Sequence, residues 1–190
     1  NMVVSSPMNE AELRDLMYTS QLESTKLPFV IRYPRGEGVM PEWQTEMKEI
    51  QIGKGRKLKD GKDIAILSFG HPGNFASAAI RNLRTEGITP AHYDLRFVKP
   101  LDEEMLHEVF TNYSKIITVE DGTVVGGVGS AILEFMSQHN YTATVKILGI
   151  PDRIVEHGSQ KELHRECNYD TEAIMDTARQ LMGATVKVMH

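Results

Sequence analysis

Cysteine and tryptophan each occur once in the 190 residues. Cys167 has no partner for an internal disulfide, so a disulfide-stapled scaffold is excluded, and a reducing compartment, by default the cytoplasm, is expected. No apolar run approaches eighteen residues and mean hydropathy is -0.31, so no membrane span is expected. The opening Asn-Met-Val-Val-Ser-Ser-Pro lacks a basic stretch and an apolar core, which argues against an export signal. Positive charge is also scarce. With 21 Lys and Arg against 26 Asp and Glu, the formal net charge is -5, the wrong sign for neutralising nucleic-acid phosphates. The single basic cluster, Lys54, Arg56, Lys57, Lys59 and Lys62, brackets Gly53, Gly55 and Gly61 and reads as a lysine-protected hairpin edge.

What remains is ordinary globular material, 41% hydrophobic and 25% charged, enough for one medium domain and part of another. Residues 2 to 5 read as a strand. Asn9 and Glu12 form a box-like cap before Leu13, Leu16 and Met17 at helical spacing, and a second strand follows at 28 to 33. Strand, helix and strand make less than one stable layer, so residues 1 to about 40 are expected to be the tail of a larger domain entered midway. Val3, Leu16 and Val30 should then be underburied. Met40 to Gln51, with Trp43 packed on a neighbour, reads as an ordered linker.

Beyond the linker, apolar strands alternate with amphipathic helices. IAILSF at 64 to 69 has the unbroken apolarity of a strand buried on both faces. Asn74 opens a helix carrying Ala76, Ala79, Ile80 and Leu83, and Gly87 closes it. Then come a strand at 92 to 98, a helix at 102 to 113 begun by Asp102, a strand at 116 to 120, a helix at 128 to 138 and a strand at 143 to 148. Ser159 and Glu162 form a capping box, and Ile174, Ala178 and Leu181 mark a last helix before a loosely held tail at 184 to 190. Right-handed βαβ units of this kind predict an α/β fold: a doubly wound, mostly parallel sheet of about five strands flanked by helices.

Arg32-Tyr33-Pro34-Arg35-Gly36 follows an apolar run and joins two guanidinium groups through a proline and a glycine. Planar forks held in a nearly fixed relation suit a phosphate, whereas a solvated basic turn is the plainer reading of the same residues. Gly126, Gly127 and Gly129 precede a helix without Walker or dinucleotide spacing, so they read as tight strand-to-helix packing. Glu120 and Asp121, with no nucleophile beside them, read as a hydrogen-bonded turn or an interdomain contact and not as an acid/base pair. Histidines 71, 92, 107, 139, 157, 164 and 190 show no metal-ligand spacing, no bound metal is expected, and Cys167 reads as a packed thiol.

RYPRG at 32 to 36, IGKG at 52 to 55, DLRFVKPLDE at 94 to 103, TVEDGTVVGGVGSA at 118 to 131 and LGIPDRIVEHGSQKEL at 148 to 163 occur in this order. Together they resemble the C-terminal part of the deoxyxylulose-phosphate synthase family, a branch of the transketolase-like, thiamine-diphosphate-dependent enzymes. The resemblance runs to about Leu181. It implies that residues 1–48 are the end of a pyrimidine-binding domain plus linker, and residues 49–190 a transketolase-type C-terminal domain. It further implies a homodimer that condenses pyruvate with glyceraldehyde 3-phosphate on thiamine diphosphate and Mg2+. Within this chain the resemblance assigns one role: Arg35 would contact the phosphate of the aldehyde substrate, with Arg32 bracing the turn. The magnesium motif and the cofactor-activating glutamate are absent from these residues, so no catalytic, cofactor or metal ligand is expected here and the piece alone should be inactive. Two other readings stay open: the C-terminal domain from the β chain of a 2-oxoacid dehydrogenase E1, and a stand-alone small-ligand-binding or interaction module.

Overall fold

A computed structural model describes residues 1–183; the tail expected at 184 to 190 lies outside the described residues. The chain opens with strand β1 (Val3–Ser5), helix α1 (Glu10–Ser20) and strand β2 (Phe29–Ile31). Asn9 caps α1 by accepting the Glu12 N–H at 3.0 Å. Strands β3 (Arg56–Lys59) and β4 (Ala65–Phe69), helix α2 (Gly73–Thr85), and strands β5 (Ala91–Asp94) and β6 (Phe97–Lys99) follow. The remainder is helix α3 (Glu103–Asn112), strand β7 (Lys115–Thr123), helix α4 (Val128–Gln138), strand β8 (Thr144–Ile150), and helices α5 (Gln160–Glu166) and α6 (Thr171–Leu181).

Five strands form one sheet in the order β3-β5-β4-β7-β8, parallel except for the edge strand β3. β4 is central because every one of its residues is buried, and the period of two splits them between two cores. Ala65, Leu67 and Phe69 pack with Leu106 and Val109 of α3 and Ile132 of α4. Ile64 and Ile66 face Ala76, Ala79 and Leu83 of α2, with Ile174 and Ala178 of α6. At about 25 cal/mol per Å2 of apolar surface, a buried side chain of this size contributes roughly 1.5–3 kcal/mol, which is why this strand anchors the domain. Gly87 ends α2 with φ +84, while the Ile88 N–H reaches the Leu83 carbonyl at 3.0 Å.

The basic segment 54 to 62 is not a hairpin. Its strand β3 pairs antiparallel with β5, so Lys57 lies opposite Tyr93, more than thirty residues away. The segment 92 to 98 is likewise not one strand. It breaks at Arg96, which takes φ +56, a left-handed conformation costing an L-residue about 1–2 kcal/mol. β6 then leaves the large sheet and pairs antiparallel with β1, giving a second sheet in the order β2-β1-β6.

This exchange overturns the expected underburial of Val3 and Leu16, both fully buried in a third cluster with Phe97 and Ile50. Phe97 comes from β6 and Ile50 from the linker, so the later chain supplies the missing layer. Val30, on the outer face of β2, stays 38% exposed. The linker carries no regular structure but is tied along α1: the Ile50 N–H donates to Thr19 Oγ1 at 2.8 Å and the Lys48 N–H to Asp15 Oδ1 at 2.9 Å. Trp43 packs against Arg14, whose guanidinium carbon lies 5.9 Å from the ring centre.

Candidate functional site

β2 delivers the Arg32–Gly36 turn to the carboxyl ends of β4 and β7. These neighbouring strands are where the order of the parallel sheet reverses, the position at which open α/β sheets hold ligands. The turn is held from three sides. The Arg32 N–H continues the ladder to the Ser5 carbonyl at 2.9 Å, and Ser6 Oγ donates to the Arg32 carbonyl at 2.8 Å. Arg32 Nη2 donates to the Asp121 carbonyl at 2.5 Å, just past the core of β7. The Gln160 side-chain amide of α5 donates to the Arg35 carbonyl.

The two arginines therefore do different work. The Arg32 guanidinium gives one N–H to β7, whereas Arg35 is exposed and its guanidinium makes no ion pair or hydrogen bond among the described residues. Arg35 is an exposed cation on a loop whose backbone is braced. Two adjoining clefts of about 230 and 240 Å3 border the turn, sharing Tyr33, Pro34 and His71 as walls; Arg32 and Asp121 line the first, Gly36, Glu10 and Met8 the second, and Arg35 itself lines neither. Tyr33 is 64% exposed.

Sequence reasoning passed over His71. It stands two residues beyond β4, and that placement at a strand end was the available signal. Its ring packs edge-on to Phe75, with centres 5.2 Å apart, and near His164. Burial holds its pKa below the usual histidine range, against the opposing pull of Asp121 and Glu10. Asp121 also accepts from the Tyr169 hydroxyl at 2.9 Å.

The glycine-rich turn ahead of α4 is not an open anion cradle. The buried carboxylate of Glu120 accepts the Val128 N–H at 3.0 Å and the Gly129 N–H at 2.9 Å, so the helix N-terminus is satisfied from within. A side chain at Gly127 would collide with the Thr123 carbonyl and the Glu120 carboxylate, which explains the glycine there. Glu120 occupies this helix terminus, and no group of three or more His, Cys, Asp or Glu gathers among the described residues. Ser68 and His92 do lie in contact, Oγ to Nε2 2.9 Å, but both are buried and form part of the core. Cys167 is buried beside α6, its thiol pKa raised by burial and by Glu166.

A parallel sheet with an antiparallel edge strand, fed at its reversal point by a turn from a neighbouring small sheet, defines a transketolase-type C-terminal architecture. Residues 53–174 match the transketolase C-terminal domain family, and the chain belongs to it. Over 187 residues it is 63% identical to the 1-deoxy-D-xylulose-5-phosphate synthase of Cytophaga hutchinsonii, covering 98% of this chain and 29% of that protein. It is 57% identical over 175 residues to the synthase of the same name from Bacteroides thetaiotaomicron, covering 92% of this chain and 27% of that one. The similarity lies in the C-terminal part of these relatives, of whose length the chain spans less than a third. Among solved structures, a split-gene transketolase described as an inactive β4 tetramer superposes with a TM-score of 0.80 at 26% identity, over 98% of this chain and 58% of that one. Among the described residues no helix is long and apolar enough to cross a membrane.

Proposed function

We propose that this chain serves as the C-terminal part of a 1-deoxy-D-xylulose-5-phosphate synthase and that Arg35 binds the phosphate of its aldehyde substrate. The reaction is the decarboxylating condensation of pyruvate with glyceraldehyde 3-phosphate, whose product feeds isoprenoid, thiamine and pyridoxal synthesis. Carbon–carbon bond formation is thiamine-diphosphate chemistry with Mg2+, and residues outside this chain would hold both. In this reading residues 1–48 end the pyrimidine-binding domain, residues 49–190 form the supporting domain, and the enzyme works as a cytoplasmic homodimer.

The observation that supports the reading is the contrast within the turn: Arg32 is tied to the Asp121 carbonyl while Arg35 stands exposed and uncommitted among the described residues. A guanidinium can form two parallel charge-assisted hydrogen bonds with a phosphate, and a braced backbone lowers the ordering cost of doing so. This contact recognises a part of the substrate remote from the reacting carbonyl, so its loss weakens substrate binding first.

The test is carbon dioxide release from pyruvate by the full-length enzyme with thiamine diphosphate and Mg2+, with and without glyceraldehyde 3-phosphate. Aldehyde-dependent release is expected, and Arg35→Ala should raise KM for the aldehyde about tenfold, equivalent to about 1.4 kcal/mol. Release indifferent to the aldehyde would overturn the synthase reading. An unchanged KM in the variant would overturn the site alone.

A further inference from the structure

We propose that Arg96 is a positioning residue for the phosphate-binding turn, acting through Ser6 and Glu12 and never touching substrate itself. The inference rests on the synthase reading for its kinetic consequence, although its mechanical part stands apart from it. Arg96 is the residue at which the chain leaves the large sheet, and its positive φ reverses the backbone so that the Phe97 N–H meets the Leu95 carbonyl at 2.5 Å. That reversal aims two groups at the N-terminal segment.

The Arg96 carbonyl accepts the Ser6 N–H at 2.9 Å, and Ser6 Oγ in turn donates to the Arg32 carbonyl at 2.8 Å. One residue, Ser6, therefore transmits the position of the sheet junction to the base of the turn. The Arg96 guanidinium works on the other side: its Nε lies 2.6 Å from Glu12 Oε1. The second oxygen of the same carboxylate accepts the Met8 N–H at 2.7 Å, pinning the segment between Ser6 and α1. Arg56 spans Glu12 at 3.0 Å and Asp94 at 2.9 Å, so the two buried acids are matched by two arginines.

An unmatched charge in such a place is strongly unfavourable, which makes the arrangement discrete instead of compliant. Ser6 and residues 7 to 10 line the two clefts together with Tyr33 and Pro34 of the turn that carries Arg35. Displacing Ser6 or Met8 therefore moves the turn against the strand ends. Sub-ångström placement of a binding group is costly to lose even when the fold survives.

The informative substitution is Arg96→Gly, because glycine adopts the positive φ without strain and removes the side chain with its guanidinium while keeping the carbonyl that Ser6 meets. In the full-length enzyme it should raise KM for glyceraldehyde 3-phosphate about fivefold, leave kcat within about twofold and leave KM for pyruvate unchanged. Glu12→Gln should shift the same constant in the same direction. In an Arg35→Ala background Arg96→Gly should add nothing, since the group it positions is gone. Amide exchange supplies a readout independent of the reaction: the Arg32 N–H, bonded to Ser5, and the Met8 N–H, bonded to Glu12, should exchange at least about tenfold faster in Arg96→Gly while β4 keeps its rates. Unchanged exchange at the turn, exchange accelerated equally in β4, or a KM rise of the same size in the Arg35→Ala background would each overturn the inference. A wild-type enzyme without aldehyde-dependent release, but with the local exchange effect, would overturn the synthase reading and support the positioning role.

Discussion

The carboxylate of Glu120 and the backbone of Gly129 are joined across a nine-residue loop, Oε1 to N 2.9 Å, and this bond closes a helix terminus that would otherwise face the site. The second oxygen takes the Val128 N–H. Burial raises the pKa of Glu120 and the two amides pull it down, so the carboxylate is held by the helix and not by solvent.

Glu120→Ala leaves two N–H groups of a buried helix end without a partner. The expected loss is about 2–4 kcal/mol in urea-induced unfolding. Glu120→Gln, which keeps an acceptor, should lose about half as much or less. Equal stability of wild type and the alanine variant would show that water replaces the carboxylate.

His92 should contribute to the acid limb of stability. Burial and the nearby Arg56 lower its pKa from the ordinary 6.5 to about 4. In the unfolded chain it takes up a proton below pH 6.5, while in the folded chain it stays neutral down to about 4. Stability is therefore fully present above pH 6.5 and falls as pH drops through that window, by roughly 3 kcal/mol for the 2.5-unit difference. His92→Gln should flatten this limb in unfolding free energies measured from pH 7 to 4.5. A limb of unchanged slope would assign the effect to other groups.

Cys167 should resist a thiol reagent such as DTNB in the native state at pH 7. It is only 7% exposed and its thiolate is disfavoured by burial and by Glu166. Complete reaction is expected in urea. Reaction in native buffer as fast as in urea would place the thiol at the surface.

Phe97→Ala empties a fully buried position where β6 meets Val3 and Leu16 and lies edge-on to Phe29. A loss of about 3–5 kcal/mol is expected, in a single transition seen by both the Trp43 fluorescence of the linker and the far-ultraviolet signal. Two separated transitions would mean that the small sheet melts by itself.

Local chemistry was readable wherever it was sufficient. The apolarity of residues 64 to 69 marked the central strand, and Asn9, Asp102 and Ser159 marked three helix starts that their side chains do cap. What escaped depends on distant partners. Nothing between 92 and 98 signals a break, because β-compatible residues flank Arg96 and the cause of the reversal is pairing with β1, ninety residues earlier. Val3 and Leu16 looked exposed for the same reason. Glu120 and Asp121 were separable only in three dimensions: one caps a helix, while the other receives Arg32 and Tyr169.

The pairing of β1 with β6 makes the two sheets mutually dependent in a way their order along the chain conceals. A polypeptide begun at Gly53, where the family match starts, would retain every strand of the large sheet yet present Phe97 and one bare edge of β6 to water. Such an edge accepts a strand from a neighbouring molecule as readily as from its own chain, so a cut at the linker would trade a packed junction for an association-prone one.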